Sequence, residues 1–330
     1  MLTIPFKLKP GDEIRVIAPA RSLAIISQET KSYAETVLGQ MWLHVSYGKH
    51  TMEIDEFASS SIQSRINDLH EAFADKNVKG ILTVVGWFNC NQLLQYIDYD
   101  LIKNNPKILC GFSDITALSN AITAKTNLVT YYGPHFSTFG MQLGNEYTKS
   151  YFQKTLMQED TFLIEASAQR SDDLRFLDQQ KREFFDNPGW IVINEWTAEG
   201  TLYAGHLSTF QLLQGTEYMP NIQDSILMIE ESEEFGKYTS FEFDRILQSL
   251  IHQPGFAGVK WILIGRFQKQ TDMTIEKLKK IISTKKELEH IPILADVNIW
   301  HVSPIVTLPI GWTIKMKISN NKAIVEVVNH

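Results

Sequence analysis

The chain has 330 residues, of which 44% are hydrophobic and 21% charged, and its formal net charge is −7. This composition is typical of a soluble globular protein, and the length favours two domains over one core. The scattered Lys and Arg residues give no basic face, which excludes a nucleic-acid groove or an anionic membrane as a partner.

Two further features concern the cellular compartment. No apolar run approaches the ~20 residues that span a bilayer, and the N-terminus has no signal pattern. The only cysteines are Cys90 and Cys110, and isolated thiols are ordinary in a reducing compartment. We therefore expect a cytoplasmic protein with no membrane partner, in which both cysteines are buried apolar fillers.

The first half of the chain alternates predicted strands and helices. Such alternation predicts an α/β fold with a doubly wound parallel sheet, whose ligand crevice lies at the carboxyl ends of the strands. The predicted strands are Glu13–Pro19, Gly80–Val85, Ile108–Cys110 and Leu128–Thr130, and the predicted helices are Gln28–Met41, Ser61–Ala74 and one that starts after Asp114.

Ser113 lies at the predicted change from strand to helix, in Gly111-Phe112-Ser113-Asp114-Ile115. A serine on such a turn has its hydroxyl lifted out of the fold, as in a nucleophile elbow. The motif is incomplete, because Ile115 stands where the second small residue of G-x-S-x-G is expected. The same residues also fit a simple helix N-cap at Ser113, so both interpretations stay open.

The second half of the chain has a different pattern. Residues 158–186 are polar without a sustained period and are interpreted as a linker with one exposed strand or helix. A β-rich α+β domain is expected beyond it. We place the domains at 1–155, 156–186 (linker) and 187–330. The predicted strands are Trp190–Ile193, Gly200–Gly205, Ile226–Ile229 and Trp261–Gly265, and the predicted helices are Phe241–Ile251 and Ile275–Leu288.

A serine nucleophile needs a base and a group that orients the base. His301 lies in a loop between apolar runs, and Glu230 and Glu231 end the Ile226–Ile229 strand, where a buried carboxylate needs a partner. Neighbours on a strand point to opposite faces, so the choice between the two glutamates stays open. No metal cluster, phosphate loop or dinucleotide fingerprint is present, and we expect no metal and no cofactor.

In chain order, these stretches resemble the LD-carboxypeptidase family of serine peptidases, and within it the microcin C immunity-protein subgroup. The resemblance covers nearly the whole chain. The segments that carry it are Pro10–Ala20, Gly86–Leu94, Gly111–Thr116, Tyr132–Pro134, Leu212–Pro220, Ile229–Glu231, Phe243–Arg245, His301–Pro304 and Pro309–Gly311.

The resemblance implies a Ser-His-Glu triad in which Ser113 is the nucleophile, His301 the base and Glu230 the orienting carboxylate. It also implies an oxyanion hole made by the backbone N–H of Asp114 and one from the Gly86-Trp87 turn. The implied protein is a homodimer that hydrolyses an amide bond near a free carboxylate. The implied substrate is a murein tetrapeptide or another peptidoglycan fragment, or a peptidyl- or aminoacyl-nucleotide.

Several positions bear on substrate binding. Trp190 stands where the immunity subgroup has a base-stacking tryptophan, although a tryptophan beside a strand is more often part of the core. The family usually has a glycine where Trp87 and Trp300 stand, and a Gly-Gly-Asn run where Gly205-His206-Leu207 stands. The pocket is therefore expected to differ. The alternative function is a binding protein that keeps the fold and has lost catalysis, with Trp87 and Trp300 filling the cleft.

Overall fold

The computed structural model describes residues 2–173, 179–195, 197–299, 301–319 and 322–328. Contacts divide the chain into two compact units, neither of which is one continuous stretch. The first comprises residues 1–159, 217–219 and 307–311, and the second comprises 160–216, 220–306 and 312–330. The domain bounds derived from the sequence stay a prediction.

The first unit is a doubly wound α/β fold around one six-stranded sheet. Its strands are β1 (Glu13–Ile17), β2 (His44–Tyr47), β3 (Val78–Thr83), β4 (Ile108–Gly111), β5 (Thr130–Tyr132) and β14 (Leu308–Ile310). Its helices are α1 (Gln28–Gln40), α2 (Ile62–Ala74), α3 (Tyr99–Asn104), α4 (Ile115–Thr126), α5 (Phe136–Phe139) and α6 (Glu146–Met157).

The strand order β14-β5-β4-β3-β1-β2 is parallel throughout except at β14. Strands β3 and β4 are buried along most of their length, as expected for strands covered by helices on both faces. The winding reverses between β1 and β3, and ligands of such sheets bind at the carboxyl ends near this point. The loops after β1, β3 and β4 are therefore the expected place for a site.

The second unit is built on an eight-stranded mixed sheet of order β6-β16-β15-β10-β11-β12-β13-β9. Its strands are β6 (Phe162–Ile164), β9 (Ile191–Asn194), β10 (Thr197–His206), β11 (Ser225–Glu230), β12 (Trp261–Gly265), β13 (Ile293–Val297), β15 (Thr313–Ser319) and β16 (Lys322–Val327). Its helices are α7 (Leu207–Gln211), α8 (Thr239–Ile251) and α9 (Ile275–Ser283). A separate two-stranded pair consists of β7 (Gln169–Arg170) and β8 (Phe185–Asp186).

The predicted fold class is confirmed in both halves, with local differences. The strand predicted at Leu128–Thr130 begins at Thr130, because Leu128 forms only an isolated bridge to Thr3. The helix predicted to reach Leu288 ends at Ser283, where the Thr284 N–H turns back to the Ile281 carbonyl. The segment interpreted as a linker supplies β6, which pairs with β16 in the second sheet.

Within the described part of the chain, every helix is too short or too polar to span a bilayer. Both cysteines are free and fully buried, and burial raises the pKa of each thiol well above its ordinary value. Their interpretation as apolar fillers therefore agrees with the structure.

Candidate active site

Ser113 lies on the tight turn between β4 and α4 with a backbone φ of +60°. This left-handed conformation costs a residue with a side chain about 1 to 3 kcal/mol and persists only where surrounding contacts enforce it. The N-cap of α4 is Asp114. The interpretation of Ser113 as a simple N-cap is therefore wrong, and the turn has the geometry of a nucleophile elbow.

The loop after β3 packs against this turn at Gly86. A Cβ at Gly86 would lie 2.9 Å from the Ser113 Cβ, 3.1 Å from its Oγ and 3.2 Å from the Asp114 backbone nitrogen. Side chains do not approach this closely, so the position requires glycine. The buried Asp114 carboxylate fixes the same loop, because it accepts hydrogen bonds of 2.9 Å from the N–H groups of Asn89 and Cys90.

Tyr132 contacts the turn at Ser113. No role for Tyr132 was predicted from the sequence. The Ser113 N–H donates a hydrogen bond of 3.2 Å to the Tyr132 hydroxyl. Tyr132 ends β5, next to β4, and is fully buried. The feature of the sequence that could have identified Tyr132 is its position at the carboxyl end of a strand parallel to β4.

Trp87 is half-buried and its ring has two partners within the first unit. The Phe88 ring lies 4.6 Å away between centroids, and the Arg21 guanidinium carbon lies 3.7 Å from the Trp87 ring centroid. Arg21 belongs to the loop after β1, so this cation–π contact joins the loops after β1 and β3. The predictions from sequence did not include Arg21.

In the second unit, the His301 Nδ1 lies 2.7 Å from the Glu230 Oε2. Glu230 is the last residue of β11 and is 1% exposed, whereas the His301 side chain is 18% exposed. Gly265 leaves the room for Glu230, since a Cβ there would lie 2.6 Å from the Glu230 Cβ. A buried carboxylate at this distance holds the imidazole in one orientation and favours a proton on Nδ1.

Glu231 faces a different set of partners. Its Oε1 accepts hydrogen bonds of 2.6 Å from both the backbone N–H and the hydroxyl of Ser208, near the start of α7. Its Oε2 lies 3.3 Å from the His206 Nε2. Of the two adjacent glutamates, Glu230 is therefore the one that contacts His301.

His206 and Glu231 form a second His-Glu pair beside the first. The His206 Nδ1 lies 3.0 Å from the Thr209 hydroxyl, and the ring centroids of His206 and His301 are 5.5 Å apart. Burial by itself lowers the pKa of His206, but the Glu231 carboxylate outweighs it and raises the pKa to about 10. The Glu231 carboxylate thus favours the imidazolium form of His206, whose Nε2 also lies 3.3 Å from the Ser232 backbone nitrogen.

Trp190 lines a cavity of about 590 Å³ in the second unit, together with Pro188, Val192 and Ile324. The indole Nε1 donates a hydrogen bond of 3.3 Å to the Asn298 side-chain oxygen, which fixes the ring orientation. Trp190 is half-buried and is therefore not a fully enclosed core residue.

The predicted site residues thus fall into groups. The first unit brings together Gly86, Trp87, Ser113 and Asp114, and the second unit brings together Glu230, His301 and His206. Trp190 lines its own cavity. Trp300, the remaining predicted site residue, lies outside the described residues.

The models of one known protein family match both halves of the chain. Residues 14–133 match the LD-carboxypeptidase N-terminal domain, and residues 199–316 match the LD-carboxypeptidase C-terminal domain. The chain belongs to the LD-carboxypeptidase family. In this family context, Ser113 lies within the first match, and Glu230 and His301 lie within the second.

Individual relatives agree. A "Putative carboxypeptidase YocD" of Bacillus subtilis is 54% identical, over 94% of this chain and 95% of the relative. A "Probable murein peptide carboxypeptidase" of the same organism is 30% identical, over 98% and 94% of the two chains.

Solved structures give the same result. The crystal structure of an MccF-like protein from Bacillus anthracis has a TM-score of 0.98 and 49% identity, covering 99% of this chain and 100% of that chain. A structure of MccF in complex with glutamyl sulfamoyl guanosine has a TM-score of 0.87 and 25% identity, covering 99% and 98% of the two chains.

Proposed function

We propose that this LD-carboxypeptidase family member is a serine carboxypeptidase in which Ser113 is the nucleophile, His301 the general base and Glu230 the orienting carboxylate. The observation that carries the proposal is the contact of 2.7 Å between the His301 Nδ1 and the buried Glu230 carboxylate. An imidazole oriented in this way has Nε2 as its basic nitrogen. The strained elbow conformation of Ser113 supports the same assignment.

The proposed reaction follows the general course of serine hydrolysis. The Ser113 Oγ forms a bond to the carbonyl carbon of the substrate while its proton passes to the His301 Nε2. The C–N bond then breaks as His301 returns that proton to the leaving nitrogen, and water hydrolyses the acyl-enzyme by the same route. Glu230 stays ionised and stabilises the imidazolium form of His301.

The oxyanion of the tetrahedral intermediate is proposed to bind the backbone N–H groups of Asp114 and Trp87. The close approach of Gly86 to Ser113 and the Asp114 nitrogen supports this assignment, because it brings the Gly86-Trp87 turn next to the elbow. Each such donor is worth about 3 kcal/mol of transition-state stabilisation in other enzymes.

His206 and Gly86 are proposed to contribute to substrate binding. A cationic imidazolium next to His301 would attract a free carboxylate near the scissile amide. Gly86 would let the acyl part of the substrate approach the Ser113 hydroxyl. The substrate we propose is therefore an amide with a carboxylate close to the bond that is cut.

A peptidyl- or aminoacyl-nucleotide is the first candidate substrate. Trp190 supports it, because this half-buried indole lines a cavity of about 590 Å³ and base stacking on an aromatic ring contributes roughly 1 to 3 kcal/mol. The MccF complex with glutamyl sulfamoyl guanosine points the same way. A murein tetrapeptide is the second candidate, favoured by the relative named for murein peptides.

The test is mass spectrometry of the products after the protein is incubated with glutamyl sulfamoyl guanosine and, separately, with a murein tetrapeptide. We expect the first compound to lose its glutamyl group, and no turnover by the Ser113→Ala variant. Turnover of the tetrapeptide alone would assign the murein substrate. Binding of either compound without turnover would instead support the alternative, a binding protein with Trp87 and Trp300 filling the cleft.

We also propose that the protein is a homodimer located in the cytoplasm. The two unpaired buried cysteines support a reducing compartment. Light scattering of the purified chain tests the oligomeric state, and a monomer at all concentrations would contradict it.

A further inference from the structure

A small cationic pocket lies in the second unit, between the end of β12 and the start of α9. Its volume is about 210 Å³. Three cationic side chains and one carboxylate line it, namely those of Arg170, Arg266, Lys269 and Asp296. None of these residues belongs to the proposed catalytic machinery.

Arg266 is the most deeply buried of the cations, with 5% of its surface exposed. Its Nη2 donates to the Asn187 side-chain oxygen at 2.7 Å and to the carbonyls of Gly189 and Asp296 at 3.3 and 3.2 Å. Its Nε lies 3.5 Å from the Asp296 carboxylate. The buried Nη1 has no hydrogen-bond partner among the described residues, although an unpaired buried donor of a charged group is costly.

Arg170 adds a second unpaired donor, because its buried Nε also has no partner among the described residues. The two guanidinium groups interact. Burial lowers the pKa of Arg266, Asp296 opposes this effect, and the charge of Arg170 lowers the pKa further. An anion that accepts hydrogen bonds from both guanidinium groups would stabilise this arrangement of neighbouring cations with unpaired donors.

Lys269 supplies the third charge. Its Nζ lies 3.7 Å from the Asp172 carboxylate and 3.7 Å from the centroid of the Phe185 ring. The carboxylates of Asp172 and Asp296 offset two of the three cationic charges, so one positive charge remains unbalanced in this group. Thr274 and Ile275 line the pocket where α9 begins, and the N-terminal end of a helix adds a partial positive charge.

We propose that this pocket binds a phosphate group, either free or carried by a small organic molecule. The unpaired donors of Arg266 and Arg170, together with Lys269, offer more N–H groups than the two oxygens of a carboxylate can accept, whereas a phosphate presents three or four oxygens. Pro188 lines both this pocket and the cavity of Trp190. The proposal does not depend on the catalytic function proposed above.

The test is isothermal titration of the full chain with inorganic phosphate, with acetate as the carboxylate comparison. We expect Arg170→Gln to weaken phosphate binding about tenfold, as loss of one charged hydrogen bond does. Arg170 is half-buried, whereas Arg266 is 5% exposed, so the Arg170→Gln variant should fold even if Arg266→Gln does not. Lys277→Gln is the matched control, because Lys277 is an exposed cation on α9 that does not line the pocket.

The outcomes separate clearly. Absence of phosphate binding by the native chain, equal binding by Arg170→Gln, or acetate binding as tight as phosphate would overturn the proposal. Titration with AMP distinguishes the two sources of phosphate. Tighter binding of AMP with the same loss in Arg170→Gln assigns a phosphate on an organic molecule, and binding of phosphate alone assigns the free anion.

Discussion

Glu230 and Glu231 show how much depends on the direction of a single side chain. They are adjacent at the end of β11, and neighbouring residues of a strand point to opposite faces. Glu230 contacts the imidazole of His301, whereas Glu231 contacts Ser208 and His206. Two residues of identical chemistry are thereby given different partners.

This difference leads to a prediction for kinetics. Glu230→Gln should lower kcat by about 10³ to 10⁴-fold, because an amide cannot stabilise the imidazolium form of His301. Glu231→Gln should lower kcat by less than about tenfold and act mainly on stability. Steady-state rates and thermal unfolding of both variants provide the measurement. A larger loss of kcat in Glu231→Gln would mean that the roles are reversed.

His206 should make stability depend on pH. Its pKa is raised from 6.5 to about 10 in the folded chain, so the folded state holds the proton more tightly than the unfolded state. The stabilisation is full below about pH 6.5 and is lost as the pH rises through about 10. His206→Asn removes this contribution, leaving the neighbouring carboxylates of Glu230, Glu231 and Glu234 in place.

The measurement is the free energy of unfolding of the native chain and of His206→Asn at pH 6, 8 and 10. We expect the advantage of the native chain to shrink steadily across this range. An advantage that stays constant with pH would show that His206 is neutral in the folded state.

At the scale of elements, the sequence predicted those strands whose apolar runs are continuous. Strands β3, β4, β11 and β12 are buried almost throughout, and their runs of Ile, Leu and Val identify them. Strands such as β15 alternate Lys with apolar residues, and the short β14 carries a proline. These were not predicted. Strand β14 pairs with β5, far away in the chain, and β15 pairs with the distant β10 as well as with β16, which follows it directly.

In the candidate site, too, some features could be predicted from the local sequence and others could not. The turn at Ser113 could be predicted, since a strand-to-helix change is encoded locally. The stacking of Arg21 on Trp87 and the hydrogen bond from Ser113 to Tyr132 join different strand ends. Such contacts depend on the order of strands in the sheet, which local sequence patterns do not specify.

The contact between the β3 loop and the elbow can be tested with matched glycine substitutions. Gly86→Ala should lower kcat/KM by at least about 100-fold, because the added methyl group must displace Ser113. Gly39→Ala is the control. Gly39 lies in α1 with no atom near the added methyl, so alanine should stabilise the chain by about 0.5 to 1 kcal/mol. Full activity of Gly86→Ala would contradict this account of the elbow.

At the scale of the whole molecule, the proposed catalytic residues come from different units of the chain. Ser113 belongs to the first unit, and Glu230 and His301 belong to the second. The chain also returns to the first unit at residues 307–311, where β14 pairs with β5. Family membership, supported over most of the chain, connects these separate parts to one proposed activity.

Labelling with a fluorophosphonate, followed by peptide mass spectrometry, tests whether Ser113 is an activated nucleophile. We expect one phosphonyl group per chain, attached to Ser113, and much slower labelling of His301→Ala. Ser113→Ala should remain unlabelled, with a free energy of unfolding within about 1 kcal/mol of that of the native chain. Labelling at another serine, or a native chain that stays unlabelled, would contradict the assignment of Ser113 as an activated nucleophile.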